Sequence, residues 1–294
     1  SRARPMFGIG DGGRRSASGM SGLKMRLLMA LAIAAFALFS YLSAPKDENP
    51  ITGALERVAI ADENEEMALG RQAAPETARQ FGGVSGNQPG RVKVQQMGQQ
   101  LLAGLDNALR QMNPPRQNPY QFQFTLLADP QTVNAFALPG GQVFITEALY
   151  DRLQTDGQLA GVLGHEIGHV LERHGNKRMA KQKLFSGLAT AGGVFGGDMQ
   201  SAQMSQMVTN FLSMKYGRDD ELESDKWGVR LCAMAGYDPR AMFGVMQILD
   251  EATGGGGGPP EMMSTHPKPA NRVKYIEGVL KQEFPQGIPP GLRP

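Results

Sequence analysis

The spacing of apolar residues changes along the chain, and each spacing predicts a different kind of element. Apolar residues recur every three or four positions, as in amphipathic helices, in six segments. These segments are 62–81, 91–112, 158–173, 219–235, 239–251 and 269–283. Short stretches with strand character, separated by turn residues, are 120–126, 132–138 and 142–146. The order predicts an α+β domain that is predominantly helical and carries one small sheet.

A different pattern stands at the start of the chain, where residues 27–43 form a run of 17 residues without charge. Lys24 and Arg26 precede it. Its length is at the lower end for a bilayer-spanning helix, so an uncleaved signal anchor and a cleaved secretory peptide are both possible. Leu42 would stand three residues before a cleavage point after Ala44, where a small residue is needed, which favours the anchor. Either interpretation places everything after residue 45 outside the cytoplasm.

These patterns divide the chain into five parts. They are a disordered basic leader (1–22), the signal anchor or signal peptide (23–44), a linker (45–60), one domain (61–285) and a Pro-rich tail expected to be unpacked (286–294). Six of the 30 basic residues and one of the 28 acidic residues lie in 1–44, so the remainder carries 24 bases and 27 acids. That balance argues against nucleic-acid binding by the domain. The only cysteine, Cys232, cannot form an intrachain disulfide and is expected to be a small buried apolar residue.

Candidate chemistry is concentrated in the segment His165-Glu166-Ile167-Gly168-His169. Two imidazoles four residues apart share one helix face and can bind the same tetrahedral metal ion, while Glu166 can take a proton from a water beside the metal. This H-E-x-x-H arrangement is the signature of zinc metallopeptidases. Two ordinary helix histidines are the alternative. Gly161, Gly164 and Gly168 weaken the helix intrinsically, which indicates either close packing or room for a substrate.

A catalytic zinc needs a third protein ligand and one open position for water. His174 follows His169 by five residues instead of the six required by the extended H-E-x-x-H-x-x-G-x-x-H pattern, and on a straight helix it lies on the face opposite His165. We therefore expect His174 to lie at the surface or behind a ligand. Glu221 and Asp225 share a helix face, which suits a ligand and an acceptor that orients a liganding imidazole. A solvated acidic helix start is equally compatible with these residues.

Four segments together resemble the zinc metallopeptidases of the HtpX and CAAX-prenyl-protease type, within their periplasmic soluble-domain and Oma-like branch. The segments are Asn134-Ala-Phe-Ala-Leu-Pro-Gly-Gly141, His165-Glu-Ile-Gly-His169, Glu221-x-x-x-Asp225, and Thr265-His-Pro followed by Asn271-Arg272. They span roughly residues 60–285. The resemblance implies a gluzincin-like zincin fold with the small sheet beside the metal helix, and one Zn²⁺ per chain.

The resemblance also implies roles for single residues. It selects Glu221 as the third ligand and places Asn134, Ala135 and Phe136 on the strand that holds substrate. His266 would stabilise the oxyanion or occupy the open metal position in a resting state. Arg272 would be structural or would position substrate.

The predicted function is that of a zinc endopeptidase acting on misfolded or membrane-associated polypeptides in envelope quality control. The catalytic domain would lie on the periplasmic side of a bacterial inner membrane, single-pass and anchored, or be exported if the signal is cleaved. Two alternatives remain open. One is a chaperone-like holdase whose zinc is structural, and the other is a self-inhibited protease gated by His266.

Overall fold

A computed structural model describes residues 22–43, 46–182, 210, 215–253, 266 and 271–294. The glycine- and methionine-rich stretch 184–214, apart from residue 210, and the glycine loop 254–260 lie outside the described residues, as does most of the basic leader. The interpretations of those stretches therefore stay predictions.

Helices dominate the described residues. Apart from a helical segment at 174–182, they are α1 Gly22–Ser43, α2 Glu63–Gln80, α3 Gln88–Arg110, α4 Glu147–Tyr150, α5 Asp156–Leu171, α6 Arg218–Met234, α7 Ala241–Thr253 and α8 Arg272–Glu283. The strands are β1 Asp47–Glu48, β2 Leu55–Glu56, β3 Gln123–Leu127, β4 Ala135–Leu138 and β5 Gln142–Thr146. The predicted fold class, predominantly helical α+β with small sheets, is confirmed.

In the described part of the chain, no helix is both long enough and apolar enough to pass through a membrane. The membrane segment expected at 23–44 stays a prediction.

The three-stranded sheet has the order β3-β5-β4, with β3 parallel and β4 antiparallel to β5. The β4–β5 hairpin turns at Gly140 and Gly141, whose φ angles of 78° and 107° lie in the region that favours glycine. A side chain at Gly140 is also impossible for lack of space, because a Cβ there would lie 2.3 Å from Cα of Met67. The turn therefore lies close against α2, while β4, at the edge of the sheet, packs against α5.

Helix α5 carries the H-E-x-x-H segment and is buried along nearly its whole length. Thr155 begins it by accepting a hydrogen bond from the backbone N–H of Gln158. Gly164 and Gly168 face α6, whereas a Cβ at Gly161 would lie 2.8 Å from the sulfur of Met242 on α7. A Cβ at Gly164 would lie 3.2 Å from Cα of Gly228, and one at Gly168 would lie 2.8 Å from Cβ of Trp227. Of the two explanations offered for these glycines, close packing is confirmed.

Helix α5 ends at a sharp break. Arg173 has a φ of 52°, in the left-handed region that non-glycine residues rarely adopt, and residues 174–182 form a new helical segment. The buried guanidinium of Arg173 holds this conformation: it donates to Glu66 at 3.1 Å, to the carbonyl of Ile60 at 2.7 Å and to Asp47. The polar stretch after Gly175 therefore follows α5 as a separate helix.

The stretch expected as a linker is structured against this break. Strands β1 and β2 pair antiparallel, and Asn49 donates to the carbonyl of Leu171 at 2.8 Å. Lys177 reaches Glu56 at 3.1 Å. Residues 47–61 thereby fix the position of the C-terminal end of the metal helix.

The C-terminal tail is packed, and the expectation that it would be unpacked is wrong. The backbone N–H of Arg293 donates to the carbonyl of Gly236 at 3.0 Å, and the N–H of Asp238 donates to the carbonyl of Arg293 at 2.8 Å. The N–H of Gly157 donates to the carbonyl of Pro294 at 3.0 Å. Composition could not predict this docking, because it uses backbone groups of three distant segments.

Candidate metal centre

The two histidines of α5 turn their Nε2 atoms towards one another. The Nε2 atoms of His165 and His169 lie 3.1 Å apart, close to the roughly 3.3 Å expected for two imidazoles on one tetrahedral zinc. Nδ1 of His165 lies 3.0 Å from Oδ1 of Asp225, and Nδ1 of His169 lies 3.0 Å from Nδ1 of His174. Burial lowers the pKa of His169 well below its usual range, which favours a neutral ring able to bind a metal.

Glu221 enters the same space from α6. Its two carboxylate oxygens each lie 3.6 Å from one of the Nε2 atoms of His165 and His169. Burial alone would raise the pKa of Glu221, but the electrostatic attraction and hydrogen bond of His266 outweigh it, with smaller contributions from His165 and Arg272, and the pKa is lowered. The carboxylate is therefore ionised, as a metal ligand must be. The alternative of a solvated helix start is excluded, since Glu221 is fully buried.

Asp225 lies one turn further along α6 and joins two elements of the site. Nε and Nη2 of Arg272 donate to Oδ2 and Oδ1 of Asp225 at 2.8 and 2.6 Å, and Nδ1 of His165 lies 3.0 Å from the same Oδ1. Nη1 of Arg272 also lies 3.1 Å from Glu221. Arg272 is 2% exposed, so this geometry favours the structural role over substrate positioning.

Glu166 lacks any hydrogen-bond partner for either carboxylate oxygen among the described residues, although it is fully buried. Burial raises the pKa of Glu166, which suits a group that must accept and return a proton. Nε2 of His266 lies 3.9 Å from it and is likewise without a hydrogen-bond partner in the described part of the chain. Buried polar atoms without partners indicate that a polar group or an ion binds between them.

These observations fit a metal ion. His165, His169, Glu221 and His266 each offer one ligand atom, and these atoms all lie within 4.8 Å of one another. Two imidazoles and a carboxylate form a donor set typical of catalytic zinc. The unpaired oxygens of Glu166 face the same space, where a water beside the metal would be activated.

His266 comes from the C-terminal part of the chain, between α7 and α8. Its Nδ1 lies 2.9 Å from Oε1 of Glu221, so Nδ1 carries the hydrogen and donates to that carboxylate. A neutral His266 then has a bare Nε2. That atom is suited to bind a metal, whereas a donor to an oxyanion needs a hydrogen on Nε2.

Sequence reasoning left the position of His174 open and missed Tyr216. His174 was expected at the surface or behind a ligand; the break at Arg173 turns it against His169, so the second of these positions is confirmed. Tyr216 stacks on His169 with ring centroids 3.8 Å apart, and Arg178 covers the other face of Tyr216 at 3.4 Å. The sequence offers no periodic signal for Tyr216, because it stands between segments.

The residues expected to hold substrate lie on or directly before β4, which contacts the metal helix α5. Asn134, Ala135 and Phe136 are all buried, and the ring of Phe136 packs against Phe81 and Phe144 at 5.1 and 5.2 Å. The backbone N–H and carbonyl of Asn134 already bond to Thr146. The role of the three residues in holding substrate stays a prediction.

Comparison with known proteins identifies the family to which this arrangement belongs. The model of peptidase family M48 matches residues 93–280, which is more than half of the chain. The chain belongs to peptidase family M48. This confirms the resemblance to the HtpX, CAAX-prenyl-protease and Oma type inferred from the four motifs.

Individual M48 relatives come from bacteria and from mitochondria. The chain is similar to the beta-barrel assembly-enhancing protease of Yersinia pestis, with 33% identity over 56% of this chain and 35% of the relative. It is also similar to the mitochondrial metalloendopeptidase OMA1 of Schizosaccharomyces pombe (33% identity, 55% of this chain, 48% of the relative) and of Arabidopsis thaliana (32%, 51% and 30%). The matches cover between about a third and a half of each relative's length.

Proposed function

We propose that this M48 chain is a zinc-dependent endopeptidase. The observation that carries the proposal is the convergence of two bare imidazole nitrogens and one ionised carboxylate, with the unpaired carboxylate of Glu166 beside them. His165, His169 and Glu221 would hold the ion. When bound, zinc supplies Lewis-acid polarisation of a water and of the substrate carbonyl.

The residues of the chain divide the remaining chemistry. Glu166 accepts a proton from the attacking water and returns it to the amine nitrogen of the leaving peptide. Its raised pKa brings proton acceptance and release closer in energy near neutral pH. Asp225 fixes the tautomer of His165, and Arg272 fixes Asp225. The edge strand β4, with Ala135, Phe136 and the adjoining Asn134, would hold an extended substrate.

A resting state closed by His266 is the second candidate, and it is favoured by one observation. Nδ1 of His266 donates to Glu221, and its Nε2, which has no hydrogen-bond partner among the described residues, lies 3.9 Å from Glu166. In that tautomer His266 would occupy the position that substrate or water needs. The proposal predicts that His266→Ala raises basal proteolysis, whereas a fall to nothing would support the oxyanion role.

Substrates and location are inferred from sequence patterns and from the names of relatives. We infer polypeptide substrates that are unfolded or membrane-derived, consistent with the named protease activities of the bacterial and mitochondrial relatives. The uncharged run 27–43, preceded by Lys24 and Arg26, supports a single-pass anchor with the domain on the periplasmic side. Release of the protein from isolated membranes by salt alone would contradict the anchor.

The decisive experiment compares Glu166→Gln with the wild-type protein. We expect the wild-type protein to bind one zinc and to cleave unfolded casein. The cleavage should stop when a chelator is added. Glu166→Gln should retain zinc and lose cleavage, because only the proton acceptor is removed. Undiminished cleavage by Glu166→Gln would refute the proposed role. A Glu221→Ala variant with full zinc occupancy would refute the third ligand. Client binding without any cleavage by the wild type would favour the holdase.

A further inference from the structure

A chain of polar contacts runs from the proposed metal centre to the protein surface through His174. Nδ1 of His174 lies 3.0 Å from Nδ1 of His169, and Nε2 of His174 lies 2.9 Å from Oε2 of Glu223. His174 is completely buried, whereas the Glu223 side chain is half-exposed. The hydroxyl of Ser224 lies 3.3 Å from the same Nδ1 of His174.

The partners at both ends determine which nitrogen atoms carry hydrogen. A carboxylate can only accept, so Nε2 of His174 carries a hydrogen and donates to Glu223. Nδ1 of neutral His174 is then bare and accepts from Nδ1–H of His169. That leaves Nε2 of His169 bare and facing Nε2 of His165, as metal binding requires. The Glu223–His174 pair therefore has the same effect on His169 that Asp225 has on His165.

The same geometry argues against a separate metal site at His174, although Asp220 and Glu223 complete a plausible group of ligands around it. A metal on Nε2 of His174 would move the hydrogen to Nδ1. Two N–H groups would then face each other over 3.0 Å between His174 and His169. A metal on His174 and a metal on Nε2 of His169 are thus incompatible.

Several contacts hold His174 and Glu223 in position beside His169. The left-handed turn at Arg173 directs His174 towards His169, and a charged residue at 223 lies on the outward side of α6. Tyr216, stacked on the ring of His169, prevents that ring from turning away.

We propose that His174 and Glu223 are positioning residues for the metal, acting through the tautomer and orientation of His169. The inference rests on the proposed function, because it assumes that His169 is a ligand. It assigns the two imidazole ligands separate supports: Asp225 with Arg272 on one side, and His174 with Glu223 on the other. Supports of this kind typically change metal affinity by about 10- to 100-fold.

The test measures zinc affinity of the full chain by competition with a chromophoric chelator, at fixed pH, starting from metal-free protein. The variants are His174→Leu, His174→Asn, Glu223→Gln and the double His174→Leu/Glu223→Gln. Asp219→Asn is the matched control, because it removes one charge from the exposed start of the same helix. Far-UV circular dichroism of each metal-free variant checks that it is folded. Visible absorption after Co²⁺ substitution reports the ligand geometry.

We expect His174→Leu to weaken zinc binding by about 10- to 100-fold and to alter the Co²⁺ spectrum. His174→Asn keeps a side-chain acceptor and should recover part of the affinity. Glu223→Gln should weaken binding less than His174→Leu does, and the double variant should bind no more weakly than His174→Leu, because Glu223 acts only through His174. Asp219→Asn should match wild type. If His174→Leu does not fold, Glu223→Gln against Asp219→Asn decides the question.

Two outcomes overturn the inference. If wild type binds zinc and His165→Ala abolishes binding, while Glu223→Gln and any folded His174→Leu bind as wild type does, only this inference fails. If wild type does not bind zinc at all, the proposed function fails and this inference fails with it.

Discussion

Substitution of Gly168 by alanine tests whether the close contact between α5 and α6 builds the centre. A Cβ at this position would lie 2.8 Å from Cβ of Trp227 and 3.0 Å from Cα of Ser224. These atoms belong to or adjoin the backbone of α6, so they cannot move aside as the end of a flexible side chain can. Helix α6 must therefore shift away from α5.

The expected change combines two opposing effects. Alanine in place of glycine favours a helix by about 1 kcal/mol. Forcing a methyl group into a packed interface costs about 1–3 kcal/mol. The free energy of unfolding of Gly168→Ala should therefore be between that of wild type and a value about 2 kcal/mol lower. It should also weaken zinc binding, because a shift of α6 carries Glu221 away from the two histidines.

Gly278 in α8 is the matched control. It is exposed, and a Cβ there would meet nothing within 4 Å, so Gly278→Ala should raise the free energy of unfolding by about 1 kcal/mol and leave zinc binding unchanged. Urea denaturation measures the free energy of unfolding of wild type and both variants. The comparison requires that the free energy falls with urea concentration at the same slope in all three proteins. A Gly168→Ala protein that gains as much stability as Gly278→Ala and binds zinc normally would refute the packing argument.

Three further predictions address other parts of the structure. Burial raises the pKa of the Cys232 thiol to about 12, so a thiol reagent should label it only after unfolding; fast labelling of native protein would contradict its burial. The hydrogen bond from Arg240 lowers the pKa of Asp238, so this pair stabilises the fold above about pH 4 and less as the pH falls through the lowered pKa. Asp238→Asn should therefore be less stable than wild type at neutral pH but equal to it in strong acid, as followed by urea denaturation across pH. Arg173→Met should lose about 3–5 kcal/mol because it leaves Glu66 buried without its cation, and adding Glu66→Gln should restore part of the loss.

The order of elements and the core of the site were accessible from the sequence because they depend on local spacing. A period of 3.6 residues places His165 and His169 on one face of a helix, and the same period joins Glu221 to Asp225. The strand and helix segments follow from the spacing of apolar residues in the same way. What local spacing could not decide was whether Glu221 faced solvent or the histidines, since both are compatible with an acidic helix start.

The tertiary structure decided the contacts that depend on interruptions of regular elements and on distant backbone. One residue in a left-handed conformation, Arg173, moves His174 from the far side of a straight helix into contact with His169. Partners more than a hundred residues away in the chain stabilise that conformation. The docking of Pro294 on Gly157 likewise joins distant backbone groups. The sequence by itself determined that His165, Glu166 and His169 could form the metal centre, because ligand chemistry and helical period are local, and the family resemblance added Glu221 and His266. Only the fold determined what holds these residues in place, because packing and buried charge depend on residues that are distant in the chain.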